Sequence, residues 1–250
     1  MINLDSIPTR AEEGIEKGQV KREIKAIKER IQIKQKLLSA SAKNSLLVIL
    51  QGMDASGKDG TVRGVFSGIF PGGISVYSFK KPTDLEFSHD YLWRVHKQVP
   101  KMGMIKVFNR SHYEDILVPS VYGYIPKDKI EQRYTQINQF EEHLEANGTK
   151  ILKFYLHVSK DEQYKRLMER IEMPHKNWKH NDGDWETRDR WDDFMKVYHS
   201  IFEKCNAIPW NIIPSDQNWH KIYLIAKKVE EALNNMDMEY PELETERFSK

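Results

Sequence analysis

Leu46-Leu47-Val48-Ile49-Leu50-Gln51-Gly52-Met53-Asp54-Ala55-Ser56-Gly57-Lys58-Asp59-Gly60 decides the reading of this chain. Leu46 to Leu50 is an unbroken apolar run ahead of Gly52, the pattern of a central parallel strand covered on both faces. It opens directly into a G-x-x-x-x-G-K loop that leads into a helix. Glycines let such a loop curl so that successive amides point inward. The helix starting near Gly57 adds its positive dipole end, and Lys58 adds a full charge, which together make a cradle for phosphate. Asp59 stands where a Ser or Thr hydroxyl usually meets magnesium. The expected magnesium ligand is therefore the carboxylate of Asp54, since hard divalent cations at phosphate sites take one or two carboxylates plus phosphate oxygens.

Outward from this loop, strands alternate with helices. Ile24, Ile27, Ile31 and Leu38 recur at helical spacing among lysines and predict an amphipathic helix over about 17–40. The helix after the loop stops at Pro71-Gly72-Gly73, and a strand is predicted over 74–79, a helix over 89–98 and a strand over 105–108. Ile130, Tyr134, Ile137 and Leu144 mark one stripe of a long helix ending at Gly148. A strand over 151–158 follows. Ser159 and Glu162 then have the spacing of a capping box for a helix to about Ile171. Residues 172–189, with Pro174 and Gly183 and no sustained period, read as a mobile excursion; a strand near 210–213 and a helix over 218–234 close the domain. This is a three-layer α/β fold with a mostly parallel sheet, whose ligands gather beyond the carboxyl ends of the strands.

At 250 residues and 39% hydrophobic content the chain suits one substantial core. Met1 to Arg10 lacks the pattern of a signal peptide, no run is apolar enough to span a membrane, and the single cysteine, Cys205, excludes an intrachain disulfide. A soluble cytoplasmic protein is expected, with no membrane partner. The net charge of +2 is too small to steer a polyanion by the whole-molecule field, so an anionic partner must be held by local patterning. Lys17 to Lys43 holds nine Lys/Arg against Glu23 and Glu29, whereas Glu230 to Glu246 holds seven acids and no base. The expected organisation is a basic helical extension (1–44), a phosphate-loop domain (45–235) with a lid at about 170–192, and an acidic tail (236–250).

The predicted strand 105–108 runs into Asn109-Arg110-Ser111-His112-Tyr113-Glu114-Asp115. At that strand end Arg110 is placed to bridge two phosphate groups and stabilise charge spread over their equatorial oxygens. Residues 80–110 carry seven Lys/Arg against three acids, enough to hold a polyanion if the segment lines a groove. The lid stretch 160–190 is balanced at eight against eight, so particular residues matter there, and Arg170, Lys179 and Arg188 are the candidates. Trp178, Trp185 and Trp191 are expected to pack the excursion, and His175 and His180 show no ligand spacing. No N-K-x-D segment for guanine is present.

The loop Gly52 to Gly60, Lys80-Lys81-Pro82-Thr83, His89-Asp90-Tyr91-Leu92-Trp93-Arg94, Phe108 to Glu114, Trp178-Lys179 and Arg188-Asp189-Arg190-Trp191-Asp192-Asp193 together resemble, in order, the motifs of the polyphosphate kinase 2 family. The resemblance covers about Val20 to Leu233. It implies a thymidylate-kinase-like P-loop kinase core with a helical lid, Mg2+ dependence, and inorganic polyphosphate as phosphoryl donor to adenine nucleotides (AMP and ADP giving ADP and ATP, and the reverse). Asn109 departs from the aspartate of many members. Glu114 resembles the branch that accepts both AMP and ADP. The expected catalytic residues are Asp54, Lys58, Arg110 and Arg170, with Asp54 also the metal ligand. The expected nucleotide- and polyphosphate-binding residues are Gly52, Ala55, Ser56, Gly57, Asp59, Gly60, Lys80, Lys81, Asn109, Glu114, Arg133, Lys179 and Arg188. A homo-oligomer without nucleic-acid partners is expected. The nearest alternative is an ATP-dependent nucleoside monophosphate kinase, and a nucleic-acid-binding module is the alternative of another class.

Overall fold

The structure, a computed structural model, describes residues 2–245 and 247; Met1, Glu246 and residues 248–250, including the far end of the acidic tail, lie outside the described residues. In chain order the elements are α1 (Lys17–Ser41), β1 (Ser45–Gln51), α2 (Lys58–Phe66), β2 (Ile74–Ser78), α3 (Asp84–Phe87), α4 (Trp93–His96), β3 (Ile105–Asn109), α5 (Glu114–Tyr122), α6 (Lys127–Ala146), β4 (Thr149–His157), α7 (Lys160–Glu172), α8 (Asp182–Asp189), α9 (Trp191–Lys204), β5 (Trp210–Pro214) and α10 (Asn218–Asn234). All five strands are parallel in the order β2-β3-β1-β4-β5, so β1 is central and the loop beyond it opens between β3 and β4.

Because side chains alternate across a strand, the apolar run of β1 feeds two cores. Leu47 and Ile49 join Phe108, Tyr155 and the apolar faces of α5, α6 and α9. Leu46, Val48 and Leu50 join Ile27, Ile31 and Leu38 of α1, Val65 of α2 and Ile225 and Val229 of α10 on the opposite face. Each such fully buried side chain contributes roughly 1.5–3 kcal/mol of burial free energy, which sets the sheet between two helical layers. The basic helix α1 therefore sits in the core against α10, and its Arg30 pairs with Glu230 at the start of the acidic stretch. Among the described residues no helix is long and apolar enough to cross a membrane.

Four local expectations are corrected. The helix expected over 89–98 is reduced to a single turn, α4, and a further turn, α3, precedes it. Asp90 Oδ1 accepts from the amides of Leu92 and Trp93 at 3.0 and 3.1 Å and ends the approach to α4 locally. The reciprocal capping box is at Thr83 and Glu86 rather than at Ser159 and Glu162. Ser159 Oγ does accept from the Glu162 amide, but Glu162 turns to Arg166 and the Ser159 amide is taken by Asp216 Oδ1 at 2.8 Å. Residues 172–189 are regular, forming a 3-10 turn at Pro174–Lys179 and α8, whose start Asn181 caps through its side chain. Finally, α5 and α9 were not anticipated, although Phe194, Tyr198, Ile201 and Phe202 form a buried helical stripe in α9.

A charged network crosses the first core. Lys153 Nζ of β4 donates to Glu141 Oε2 (2.7 Å), the Tyr113 hydroxyl (2.8 Å) and the Cys205 carbonyl (3.0 Å). Tyr113 Oη donates to Glu141 Oε1 at 2.8 Å, and His112 Nε2 lies 3.2 Å from the same oxygen. All four side chains are fully buried. Burial pushes the Glu141 carboxyl up, but the His112 hydrogen bond and the Lys153 charge outweigh it and hold the carboxyl below its ordinary value. Its contribution to stability is present above the ordinary carboxylate range and is lost as pH falls through that lowered value. Glu141→Ala, which leaves the Lys153 ammonium buried without its carboxylate, is expected to cost about 3–5 kcal/mol in urea unfolding at neutral pH. A loss below about 1 kcal/mol would show that the buried charge is compensated elsewhere.

Candidate functional site

The phosphate-loop segment leaves β1 through three left-handed residues, Gly52 (φ 146°), Ala55 (φ 59°) and Gly57 (φ 94°). Each of its carbonyls from Gly52 to Gly57 finds a side-chain donor. Lys58 Nζ donates to Gly52 O (2.7 Å) and Met53 O (3.1 Å), and Gln163 Nε2 to Asp54 O (3.1 Å). Arg166 Nη1 donates to Ala55 O (3.0 Å) and Ser56 O (3.2 Å). Lys221 Nζ donates to Ser56 O (3.0 Å) and Gly57 O (3.4 Å), the latter also receiving the Thr61 amide at the start of α2. Lys58, Asp59 and Gly60 at the start of α2 line the cleft, so a helix N-terminus borders it, an arrangement suited to an anion.

That cleft, of about 760 Å³, is lined by nine Lys/Arg and five Asp/Glu side chains, so its local charge is positive although the whole chain is nearly neutral. Asp54, Ala55, Gly57, Lys58, Asp59, Gly60, Lys80, Lys81, Asn109, Arg110, Arg170 and Lys179 all line it. Asp59 is tied to Asn109, whose Nδ2 donates to Oδ1 at 2.6 Å. Arg110 occupies a left-handed conformation (φ 61°), its amide donates to Leu50 O at 3.0 Å, and its guanidinium pairs with Asp54. A non-glycine residue held in this region carries backbone strain, which the strand pairing and the ion pair maintain. From the opposite wall, α7 and α8 bring in Arg170, which pairs with Asp184 and donates to Lys179 O at 3.1 Å.

Burial, then the charge of Arg110, lowers the Lys58 ammonium to about 8. Arg110 is raised by Asp54 first and then Glu114, and stays charged. Burial and then the Asp54 charge raise the Asp184 carboxyl. Asp54 and Asp184, each paired with an arginine, both line the phosphate cleft as hard oxygen donors, a donor set that fits one divalent cation completed by phosphate oxygens. Among the described residues no three His, Cys, Asp or Glu side chains form a preassembled metal cluster.

Gly52 and Glu114 line a small recess of about 60 Å³ beside the cleft, with Asp54, Arg110, Leu117, Val118, Phe194 and Tyr198. Burial raises the Glu114 carboxyl, opposed by Arg110 and Lys58. With the Gln51 amide turned to satisfy its neighbours, its nitrogen donates to Glu114 Oε1 at 3.1 Å.

Other expected positions are placed elsewhere. Ser56 is buried within the loop. Arg133 donates to Asp115 O, lies over the Tyr91 ring and lines a separate cavity. Arg188 binds Lys160 O (2.6 Å) and Gln163 Oε1 (2.9 Å) and lies over Tyr164, holding α8 to α7 instead of lining the cleft. Of the basic residues over 80–110, Lys80, Lys81 and Arg110 line the cleft, whereas Arg94 is buried on Lys80 O and Asp115 and Lys97 lies over Trp93. Trp178 is 77% exposed at the cleft, whereas Trp191 packs against the core. Sequence reading missed Gln163, Arg166, Asp184, Asp216 and Lys221. For Lys221 a signal existed, since it heads the stripe Ile225, Val229 and Leu233 on the buried face of α10.

A family profile described as "Polyphosphate kinase 2 (PPK2)" matches residues 14–241. The chain is 46% identical over 218 residues to an AMP/ADP-polyphosphate phosphotransferase of Meiothermus ruber, covering 86% of this chain and 82% of that protein. It is 41% identical over 228 residues to an ADP-polyphosphate phosphotransferase of Rhodopseudomonas palustris, covering 86% and 79%. A crystal structure of polyphosphate kinase 2 from Arthrobacter aurescens TC1 superposes with a TM-score of 0.94 at 38% identity, covering 98% of this chain and 89% of that one.

A Cβ added at Gly57 would lie 2.2 Å from Lys221 Nζ, and its φ of 94° strains any other residue. Gly57→Ala is expected to weaken tripolyphosphate binding about tenfold or more in calorimetric titration, through loss of the loop's amide geometry. Unchanged affinity would show that the phosphate chain binds elsewhere.

Proposed function

The chain belongs to the polyphosphate kinase 2 family and is a polyphosphate-dependent phosphotransferase of its AMP/ADP branch, and we propose that its chemistry takes place where the phosphate loop meets Arg110. The observation that supports this placement is the cation-rich cleft itself, which the phosphate loop, the start of α2 and Arg110 line together.

In this reading the polyphosphate end lies on the loop and the nucleotide phosphate approaches from the side of Arg110 and Glu114. An oxygen of AMP or ADP attacks the terminal phosphorus, a new P–O bond forms, the bridging P–O bond breaks, and the shortened chain leaves with the electron pair. The attacking oxygen is already anionic at neutral pH, so no general base is needed and charge repulsion is the obstacle. Two N–H groups of Lys58 hold Gly52 O and Met53 O, and the third is available to a phosphate oxygen. Arg110 has donors beyond the one on Asp54, in the planar fork that grips two phosphate groups together. Lys80, Lys81, Arg170 and Lys179 line the cleft, where their charge would hold the phosphate chain for transfer.

A divalent cation requirement comes with this family's chemistry. We assign Mg2+, held by Asp54 with Asp184 beside it, where it would neutralise charge on the phosphate oxygens. Lys58→Ala and Asp54→Asn are expected to lower turnover at least about a hundredfold while the thermal unfolding temperature stays within a few degrees of wild type. Resolving the nucleotides after incubation with Mg2+, polyphosphate and AMP or ADP measures this, and a parallel incubation with ATP as donor tests the monophosphate-kinase alternative. Full activity of folded Asp54→Asn would remove Asp54 from the metal site.

Glu114 stands in the recess next to Arg110, where a bare carboxylate would repel an acceptor phosphate; its role is therefore to orient a cation, a water or the base. Glu114→Asn is expected to lower kcat/KM for AMP more than for ADP. Equal losses for the two acceptors would refute a part in acceptor choice.

A further inference from the structure

Beneath the phosphate loop, outside the lining of the cleft, α10 presents a lysine that the reaction scheme does not use. Lys221 is fully buried, and its three bonds go to Ser56 O (3.0 Å), Gly57 O (3.4 Å) and Asn218 Oδ1 (3.1 Å). Among the described residues no carboxylate pairs with it within 4 Å. The charged groups facing it are Lys58 from α2, Arg166 and Glu162 from α7, and Asp216 from the turn before α10. A buried ammonium without a carboxylate partner, beside two other cations, is costly where a neutral donor would satisfy the same carbonyls. The cost is offset when a polyanion lies on the opposite side of the peptide units it holds.

We propose that Lys221 is a positioning residue of the phosphate site, which fixes the Ser56 and Gly57 peptides through their carbonyls and supplies a buried positive charge that draws the phosphate chain onto the loop. This rests on the reading that the phosphate chain occupies the loop. Gly57 fits the arrangement, since any Cβ there would collide with the Lys221 ammonium. Arg166 shares the carbonyl side, but its guanidinium also binds Ser215 O and Asp216 O (2.8 and 2.9 Å) and joins α7 to the β5 turn. Lys221 alone of the two is confined to the loop and its own helix.

Burial, then Arg166 and Lys58, lowers Lys221 to about 7, so its charge is incomplete at neutral pH. An arriving polyanion favours the charged form, and binding therefore takes up a proton. As pH rises through the neutral range the charge is lost and donor affinity falls. An arginine at this position keeps its charge throughout.

The test uses full-length wild type, Lys221→Met, Lys221→Arg and Lys58→Ala, with folding checked by circular dichroism and melting. Steady-state constants for polyphosphate and AMP are measured between pH about 6 and about 9, spanning the lysine's lowered range. Lys221→Met is expected to raise KM for polyphosphate by about tenfold to a hundredfold, the loss for a charged hydrogen-bond donor, while KM for AMP stays within about twofold. Lys221→Arg is expected to retain donor KM within a few-fold and to remove the part of its pH dependence that lies below the range of Lys58. Wild-type donor KM and pH profile in Lys221→Met, equal losses for donor and acceptor, or a pH profile in Lys221→Arg identical to that of wild type would each overturn the proposal. A second measurement needs no variant. Calorimetric titration of wild type with polyphosphate in buffers of different ionisation heat is expected to show proton uptake near pH 7, and its absence would refute the role. Lys58→Ala separates the two readings, because unchanged donor affinity there would refute the loop as the phosphate site whatever Lys221 does.

Discussion

A peptide unit that offers its amide to a ligand on one side must place its carbonyl on the other, and a buried carbonyl must be paired. The geometry around the loop follows from this constraint. Six successive carbonyls, Gly52 to Gly57, each have a side-chain donor, and the donors come from α2, α7 and α10. Three of the donor side chains are cations, so the groups that satisfy the backbone also add positive potential around the cradle. The left-handed residues at 52, 55 and 57 are the backbone cost of the loop's curl.

The second arm of the site depends on a different device. Arg110 and Glu114 bracket Ser111, His112 and Tyr113, and the latter two lie in the buried network of Glu141 and Lys153. A segment anchored at its centre by charged hydrogen bonds has little freedom at its ends, which is what a grip on two phosphate groups needs. Strand register completes the alignment, since Leu50 of β1 lies beside Asn109 of β3 and the two arms leave the sheet at the same level.

Much of this was legible from local pattern. The apolar run of β1, the G-x-x-x-x-G-K spacing and the stripe of α6 signal structure within a few residues, because strand burial, loop curvature and helix amphipathicity are local properties. The ordered series of motifs carried the family and its donor, and Asp54, Lys58, Arg110 and Arg170 do meet in one cleft. Charge in sequence carries no distance: Arg94, Arg133 and Arg188 look like groove cations there, yet each is bound to a backbone carbonyl and none lines the cleft. The stretch 172–189 lacks a period because its short elements each bury little, and its helical order comes from Asn181 and from the pairing of Arg170 with Asp184.

The sequence by itself determined that a parallel α/β sheet carries a phosphate loop at the end of its central strand, and that the loop serves a phosphotransferase. Only the tertiary structure decided which polar side chains stand behind that loop. Gln163, Arg166 and Lys221 lie more than a hundred residues from the carbonyls they satisfy. No local spacing encodes such a contact. It exists because β4 and β5 flank β1 on one side of the sheet and deliver α7 and α10 to the back of the same turn.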